Sequence, residues 1–450
     1  MPNHITSFLN YFIFLILSLP SSYLVAKKVT AEDKIQNTLI IYLENHSFYN
    51  LFAHFPGADN QPPNDYHGQI DKEGLIYKEL PPVTQQNSTK ADLRFSKKLT
   101  NEPFLIDQFV KLDELIPDPS HEFFIHQIQI NDGRNDKFVL YSGVGALAMG
   151  YYNMENSYFW KLAKEYVLSD QFYQSAYGGS FLNHQWLIAA QTPYYANAPE
   201  KLKIKLNKDG IPEKVKPLTE DNFVVNTIQP QNPPFAGDGS EIENRLPPLE
   251  IPTIGDRLSD KKITWAWYAG GWDAILKGEN PANFQFHHQP FLYYKNFAPG
   301  TTERLMHLKD EDKLFEDIKS NRLPKVSFYK PVGSENAHPG YTDIASSINK
   351  VQKLIELLKK SKQWPKTLVI ITFDEHGGFW DPKAPQKLDR WGLGTRIPTL
   401  FVSPQVKKSF VDHTQYETVS ILSFLEKKYS LPPLSDRDKN ANPLTGIWAH

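Results

Sequence analysis

The chain has 450 residues with a formal net charge of -2, 40% hydrophobic and 13% aromatic residues, and no cysteine. A chain this long and apolar can bury a large core, which argues against disorder, and the near-neutral balance offers no basic stripe for nucleic acid. Without cysteine there are no disulfides and no thiolate chemistry, so any metal must be held by oxygen and nitrogen ligands.

Residues 10–19 (NYFIFLILSL) are apolar, and Leu24-Val25-Ala26 precedes Lys27-Lys28. This predicts a signal peptide over 1–26 and export to the periplasm or beyond, with an uncleaved anchor as the alternative. Residues 36–43 (QNTLIIYL) read as a buried parallel strand ending in Glu44-Asn45. Polar residues after such a strand lie at the carboxyl edge, where open α/β sheets bind ligands. Residues 57–98 read as loop with short strands around Ile76 to Leu80. A proline-locked turn, Ile116 to Phe123, carries His121, and a helix is expected from Phe124 to Ile130.

A helix over Ser157–Tyr166 and a strand over Val167–Phe172 lead into Ser175 to Trp186. There Gly178-Gly179 allow a sharp turn that delivers the Ser180 hydroxyl. An amphipathic helix from Leu182 to Ala190 would then aim its free N–H groups at an anion meeting that hydroxyl. Residues 194–252 shift to proline, lysine and acidic residues with a hairpin signal at Lys203–Gly210, and read as an inserted cap. Strands are expected at 262–268, 325–329, 368–373 and, last, 398–402, and helices at 344–360 and 416–429. The fold class is therefore α/β, a mostly parallel central sheet covered by helices on both faces, in one catalytic domain over 27–450.

The strand at 368–373 ends in Asp374-Glu375. If it lies beside the strand at 36–43, Glu44, Asn45, Asp374 and Glu375 converge near Ser180. Crowded carboxylates repel and protonate unless a divalent cation neutralises them, and that cation would lower the pKa of Ser180. The plainer alternative is that these acids are helix caps or solvated loop ends. His121, His287, His288 and His338 fall in loops, where imidazoles can bind phosphate oxygens or protonate a leaving alkoxide.

Motifs through most of residues 37–430 carry a resemblance. They are Leu43-Glu44-Asn45-His46-Ser47-Phe48, Asp118-Pro119-Ser120-His121, Gly178-Gly179-Ser180-Phe181-Leu182-Asn183-His184, Phe286-His287-His288-Gln289-Pro290 and Asp374-Glu375-His376-Gly377-Gly378. In these the chain resembles the bacterial phosphoesterase family that holds acid phosphatase A and the phosphatidylcholine-type phospholipases C, related to the alkaline-phosphatase superfamily. The resemblance implies that Glu44, Asn45, Asp374, Glu375 and Ser180 hold one divalent metal ion, whose identity the sequence leaves open. It implies Ser180 as nucleophile through a phosphoserine, with His121, His288 and His338 on the phosphate and His287 beside them. His338 or His288 would protonate the leaving group. Tyr49 and Pro382 depart from the family pattern, Asp381 is at most a supporting residue, and His184 and His376 are assigned to packing. The expected activity is acid phosphatase on a phosphate ester. The alternatives are a phospholipase C acting on phosphatidylcholine and, in another class, a non-catalytic exported binding protein. Membrane contact is expected only for a phospholipase or an uncleaved N-terminus, and no nucleic-acid partner is expected.

Overall fold

The apolar run near the start forms β1 (Asn37–Leu43), buried at every position because both faces of the strand are covered. The structure is a computed structural model and describes residues 29–237, 240–281 and 283–449; the expected signal peptide at 1–26 lies outside them. The other strands of the same sheet are β2 (Val167–Ser169), β3 (Trp265–Ala269), β4 (Leu308–Asp310), β5 (Val326–Lys330), β6 (Thr367–Phe373), β7 (Thr399–Val402) and β8 (Phe410–Asp412). They make an eight-stranded sheet in the order β8-β2-β7-β6-β1-β5-β3-β4. Strand β1 is parallel to β5 and β6, and β7 runs antiparallel to its neighbours β6 and β2.

The register of β1 on β6 positions the site. Leu43 pairs with Phe373, so the residues that follow, Glu44 and Asp374, leave the sheet side by side. The Asp374 N–H donates to the Leu43 carbonyl at 3.0 Å, extending the ladder one residue past the strand.

Helices α1 (Phe123–Ile130), α2 (Tyr158–Glu165), α3 (Ser180–Ala189), α4 (Ile344–Lys359) and α5 (Ser420–Tyr429) are among those that cover the sheet. Helix α4 begins where the Asp343 carboxylate accepts the Ser346 N–H at 2.7 Å, and it buries Ile344, Ile348, Val351, Ile355 and Leu358 on one face. Helix α3 differs from expectation: it is buried at every position instead of being amphipathic. Helix Ile254–Asp260, helix α5 and the turns at 286–293 pack around it, and the Tyr42 hydroxyl donates to its Asn183 carbonyl, so no face meets solvent.

Three other expectations change. Val167–Phe172 divides into β2 and a short strand, Phe172–Tyr173, which pairs with Tyr416–Glu417 outside the main sheet. The helix expected from Tyr416 therefore starts at Ser420, and β7 is followed by β8 instead of ending the sheet. Around Ile76 to Leu80 only isolated bridges form. The hairpin near Lys203 does form: Leu206 pairs with Pro212, and the Asn207 side-chain oxygen accepts the N–H groups of Asp209 and Ile211 at 2.9 and 3.0 Å. Among the described residues no helix is long and apolar enough to cross a membrane.

Candidate active site

Glu44, one residue beyond β1, is fully buried and ringed by donors. Its Oε1 lies 2.7 Å from Nζ of Lys330, the last residue of β5, and against Nε2 of His288. Its Oε2 accepts from the Asn336 amide at 2.8 Å and the Tyr341 hydroxyl at 3.1 Å. Burial alone would raise its pKa, but the charges of His288 and Lys330 outweigh burial and hold the carboxyl well below its usual range.

Asn45 turns the chain in a left-handed conformation, with φ of 69°. Its backbone N–H donates to Asp374 Oδ1 at 3.3 Å, and its side-chain oxygen accepts from the Ser180 hydroxyl at 3.2 Å. The loop after β6 crosses Asn45 so closely that a Cβ on Gly377, which has φ of 62°, would strike the Asn45 carbonyl.

Asp374 and Glu375 are not satisfied in the same way. Asp374 Oδ1 takes the Glu375 N–H at 2.8 Å, and Glu375 Oε2 takes the Gly377 N–H at 2.6 Å. The second oxygen of each, Asp374 Oδ2 and Glu375 Oε1, is buried without a hydrogen-bond partner. Burial, with Glu44 adding repulsion, pushes Asp374 up to about 7. Burial and the Asp374 charge push Glu375 well above its usual range. Two unpartnered carboxylate oxygens beside an amide oxygen and a hydroxyl make the hard-donor set that suits a divalent cation. Glu44, His184 and Asp374 also offer atoms within 4.8 Å of one another.

Ser180 opens α3, and the turn before it depends on Gly178, whose φ of 83° and contact with the Phe123 backbone leave no room for a side chain. One turn on, His184 Nδ1 donates to the Ser180 carbonyl at 2.7 Å and lies 3.8 Å from Asp374 Oδ2. His184 thus belongs to the buried cluster, beyond the packing role the sequence suggested. His376 fits that role better, stacked on His126 at 3.7 Å and bonded to Gln174, although it also lies 3.3 Å from Glu375 Oε2.

Two histidines are fixed alike. His121 Nδ1 donates to the Pro119 carbonyl at 2.7 Å and His338 Nδ1 to the Pro339 carbonyl at 2.6 Å, which settles each tautomer and leaves Nε2 without a proton when the ring is neutral. Burial lowers His121, but Glu375, Asp118 and Glu122 outweigh it and push the imidazole up to about 10. Burial brings His338 down to about 3.

A cleft of about 420 Å³ opens over Ser180, walled by Asp118, His121, His287 and His338, with Val215 and Thr227 from the 194–252 segment on its far side. His288 joins the cluster but lies behind the cleft, with Nε2 turned to Glu44. Asp381 pairs with Arg396 at 2.8 Å, both fully buried, and caps the Tyr49 N–H, so it supports the fold around the site. Sequence reasoning missed Lys330, Asn336 and Tyr341. Lys330 carried a usable signal, since it ends a buried strand as Leu43 and Phe373 do.

A hydroxyl at a helix start, buried carboxylates and imidazoles gather at the carboxyl edge of a mostly parallel sheet, the edge where α/β proteins of this class bind ligands. The chain belongs to the phosphoesterase family, whose model matches residues 35–432. It is 24% identical over 442 residues to a hemolytic phospholipase C of Pseudomonas aeruginosa, covering 89% of this chain and 53% of that protein. It is 23% identical over 360 residues to phospholipase C B of Mycobacterium tuberculosis, covering 71% of this chain and 60% of that protein. The match to non-specific phospholipase C6 of Arabidopsis thaliana is 29% over 195 residues, covering 35% of this chain and 36% of that protein. The chain thus spans between about a third and three fifths of the length of these curated relatives. A solved structure of an alkaline-phosphatase-superfamily protein from Vibrio parahaemolyticus aligns over 71% of this chain and 70% of its own, at 11% identity and a TM-score of 0.36. The α/β class rests here on the sheet itself.

Proposed function

We propose that the protein hydrolyses phosphate esters through a phosphoserine on Ser180. The observation that carries this is the Ser180 hydroxyl, at the start of α3 and bonded to Asn45, beside two unpartnered carboxylate oxygens. Glu44, Asn45, Ser180, Asp374 and Glu375 would hold one divalent cation, which would neutralise the carboxylates, lower the pKa of the hydroxyl and polarise a phosphoryl oxygen.

Ser180 Oγ attacks phosphorus in line, its bond to phosphorus forming as the bond to the alcohol oxygen breaks. His121 and His287 bind phosphoryl oxygens from the cleft wall. His121, held protonated by Glu375 and Asp118, gives a proton to the departing alkoxide and is reprotonated by the proton that Ser180 loses, whereas His338 on the cleft wall is neutral. His288 instead orients Glu44. Water then attacks the phosphoserine from the vacated side, releasing phosphate and returning Ser180 to its hydroxyl form. Residues 194–252 act as a cap on the cleft, and the apolar N-terminus directs export.

The substrate favoured here is a phosphomonoester. A second reading is a phospholipase C releasing phosphocholine. It draws on the names of the relatives and on the lining of the cleft, where Asp118, Glu122 and Tyr341 offer carboxylates and an aromatic ring that suit a cationic headgroup. The test is hydrolysis of a chromogenic phosphomonoester and of phosphatidylcholine side by side, with Ser180→Ala as blank. Monoester cleavage without phosphocholine release supports the first reading, and phosphocholine release the second. Turnover of neither, with divalent metals supplied, refutes both and moves the non-catalytic binding reading to first place.

A further inference from the structure

The wall of the cleft continues into a hairpin that turnover does not use. Residues 201–216 hold six lysines against Asp209 and Glu213, a local positive excess in a chain of net charge -2. The hairpin is firmly built: Ile204 N–H donates to Leu218 O at 2.7 Å, Glu213 N–H to Lys205 O at 2.9 Å, and Gly210 closes the turn. Ile204 and Leu218 anchor its base in the core, at 1% and 0% exposure.

Two lysines near the base have local partners, Lys203 with Glu200 at 3.0 Å and Lys201 with Glu243 at 3.8 Å. Lys205, Lys208 and Lys214 are exposed and make no ion pair among the described residues. Apolar side chains are set among them: Leu206 is 38% exposed and Val215 57%. A solvated charged hairpin has no need of exposed Leu and Val. Lysines interleaved with aliphatic side chains match a surface that is anionic outside and hydrocarbon just beneath.

We propose that this hairpin docks on an anionic lipid surface, Lys205, Lys208 and Lys214 pairing with headgroup phosphates while Leu206 and Val215 enter the interface. Because Val215 and Lys216 also line the cleft, docking holds its mouth beside the membrane. Nucleic acid shares the charge but offers no layer for the aliphatic side chains.

The test is co-sedimentation with vesicles of phosphatidylcholine alone and of phosphatidylcholine mixed with anionic phosphatidylglycerol. The full chain is compared with its Lys205→Gln/Lys208→Gln/Lys214→Gln variant, which shares the same N-terminus. Expected are binding that needs the anionic lipid and weakens in high salt, and a roughly hundredfold loss in the variant, at about a factor of five per lysine. Leu206→Ser should weaken binding while leaving its salt dependence in place. Unchanged folding by circular dichroism and unchanged turnover of a soluble phosphomonoester would show that only docking was lost. Equal binding by wild type and variant, equal binding to neutral and anionic vesicles, or equal lysine-dependent capture of a DNA duplex overturns the proposal. Vesicle binding without ester turnover would sink the proposed function and leave the docking surface standing.

Discussion

Replacing Lys330 with methionine separates the charge balance of the site from its packing. Of three buried carboxylates, Glu44, Asp374 and Glu375, Glu44 pairs with one buried lysine, and a divalent cation would offset the remaining negative charge. Methionine can fill the volume of the lysine stem beside the Tyr42 ring, whose centroid lies 5.5 Å from Nζ, so the loss is chiefly electrostatic. Breaking a buried pair by removing one partner costs about 3–5 kcal/mol. Glu44 keeps Asn336, Tyr341 and His288, which places the expected loss near the lower end, about 3 kcal/mol, when no metal is bound. A bound cation would take over part of the neutralisation of Glu44 and shrink the loss. The assay is urea unfolding of wild type and Lys330→Met, once in chelator and once in excess divalent metal. The expected result is a gap in chelator that falls by half or more with metal. The same gap in both conditions, or none in chelator, would refute the charge-balance argument.

Ser180→Ala should cut ester hydrolysis by at least about a thousandfold while circular dichroism stays unchanged; an active variant would sink the phosphoserine mechanism. Gly377→Ala forces a side chain against the Asn45 carbonyl at positive φ, so it should cost more than about 1 kcal/mol and weaken metal affinity measured by calorimetry. Gly74→Ala, at φ of 81° with nothing within 4 Å, carries only the backbone strain and is the control; equal effects of the two would refute the crossing argument. Burial, with the Asp438 carboxylate adding to it, pushes Glu426 up to about 9 from an ordinary 4.5. Its neutral form is therefore favoured in the fold, and stability falls as pH rises from the unfolded value toward 9 and is flat above it. Glu426→Gln removes that slope, so its gain in urea midpoint should be larger at pH 8.5 than at pH 5; a gain independent of pH would disprove this reading of Glu426.

The sequence by itself determined the elements and half of the site. Short apolar runs rich in Ile, Leu and Val and bounded by polar turns read as strands covered on both faces, and the polar residues that follow them stand at the sheet edge; that logic finds Glu44-Asn45 and Asp374-Glu375. Paired glycines before a hydroxyl and a helical segment likewise marked Ser180. Local pattern does not carry register. That Leu43 sits opposite Phe373, with β5 on the other side of β1, is set by pairing between segments hundreds of residues apart, and this brings Lys330 to Glu44. The same holds for His288, which reads like its neighbour His287 yet meets Glu44 directly behind the cleft, while His287 also lines the cleft wall. The full burial of α3 was also hidden, since it depends on elements packing around it from both ends of the chain. Side-chain chemistry is local and legible, whereas the partner that each group meets is decided only when the sheet closes and buried charges must find their counter-charges.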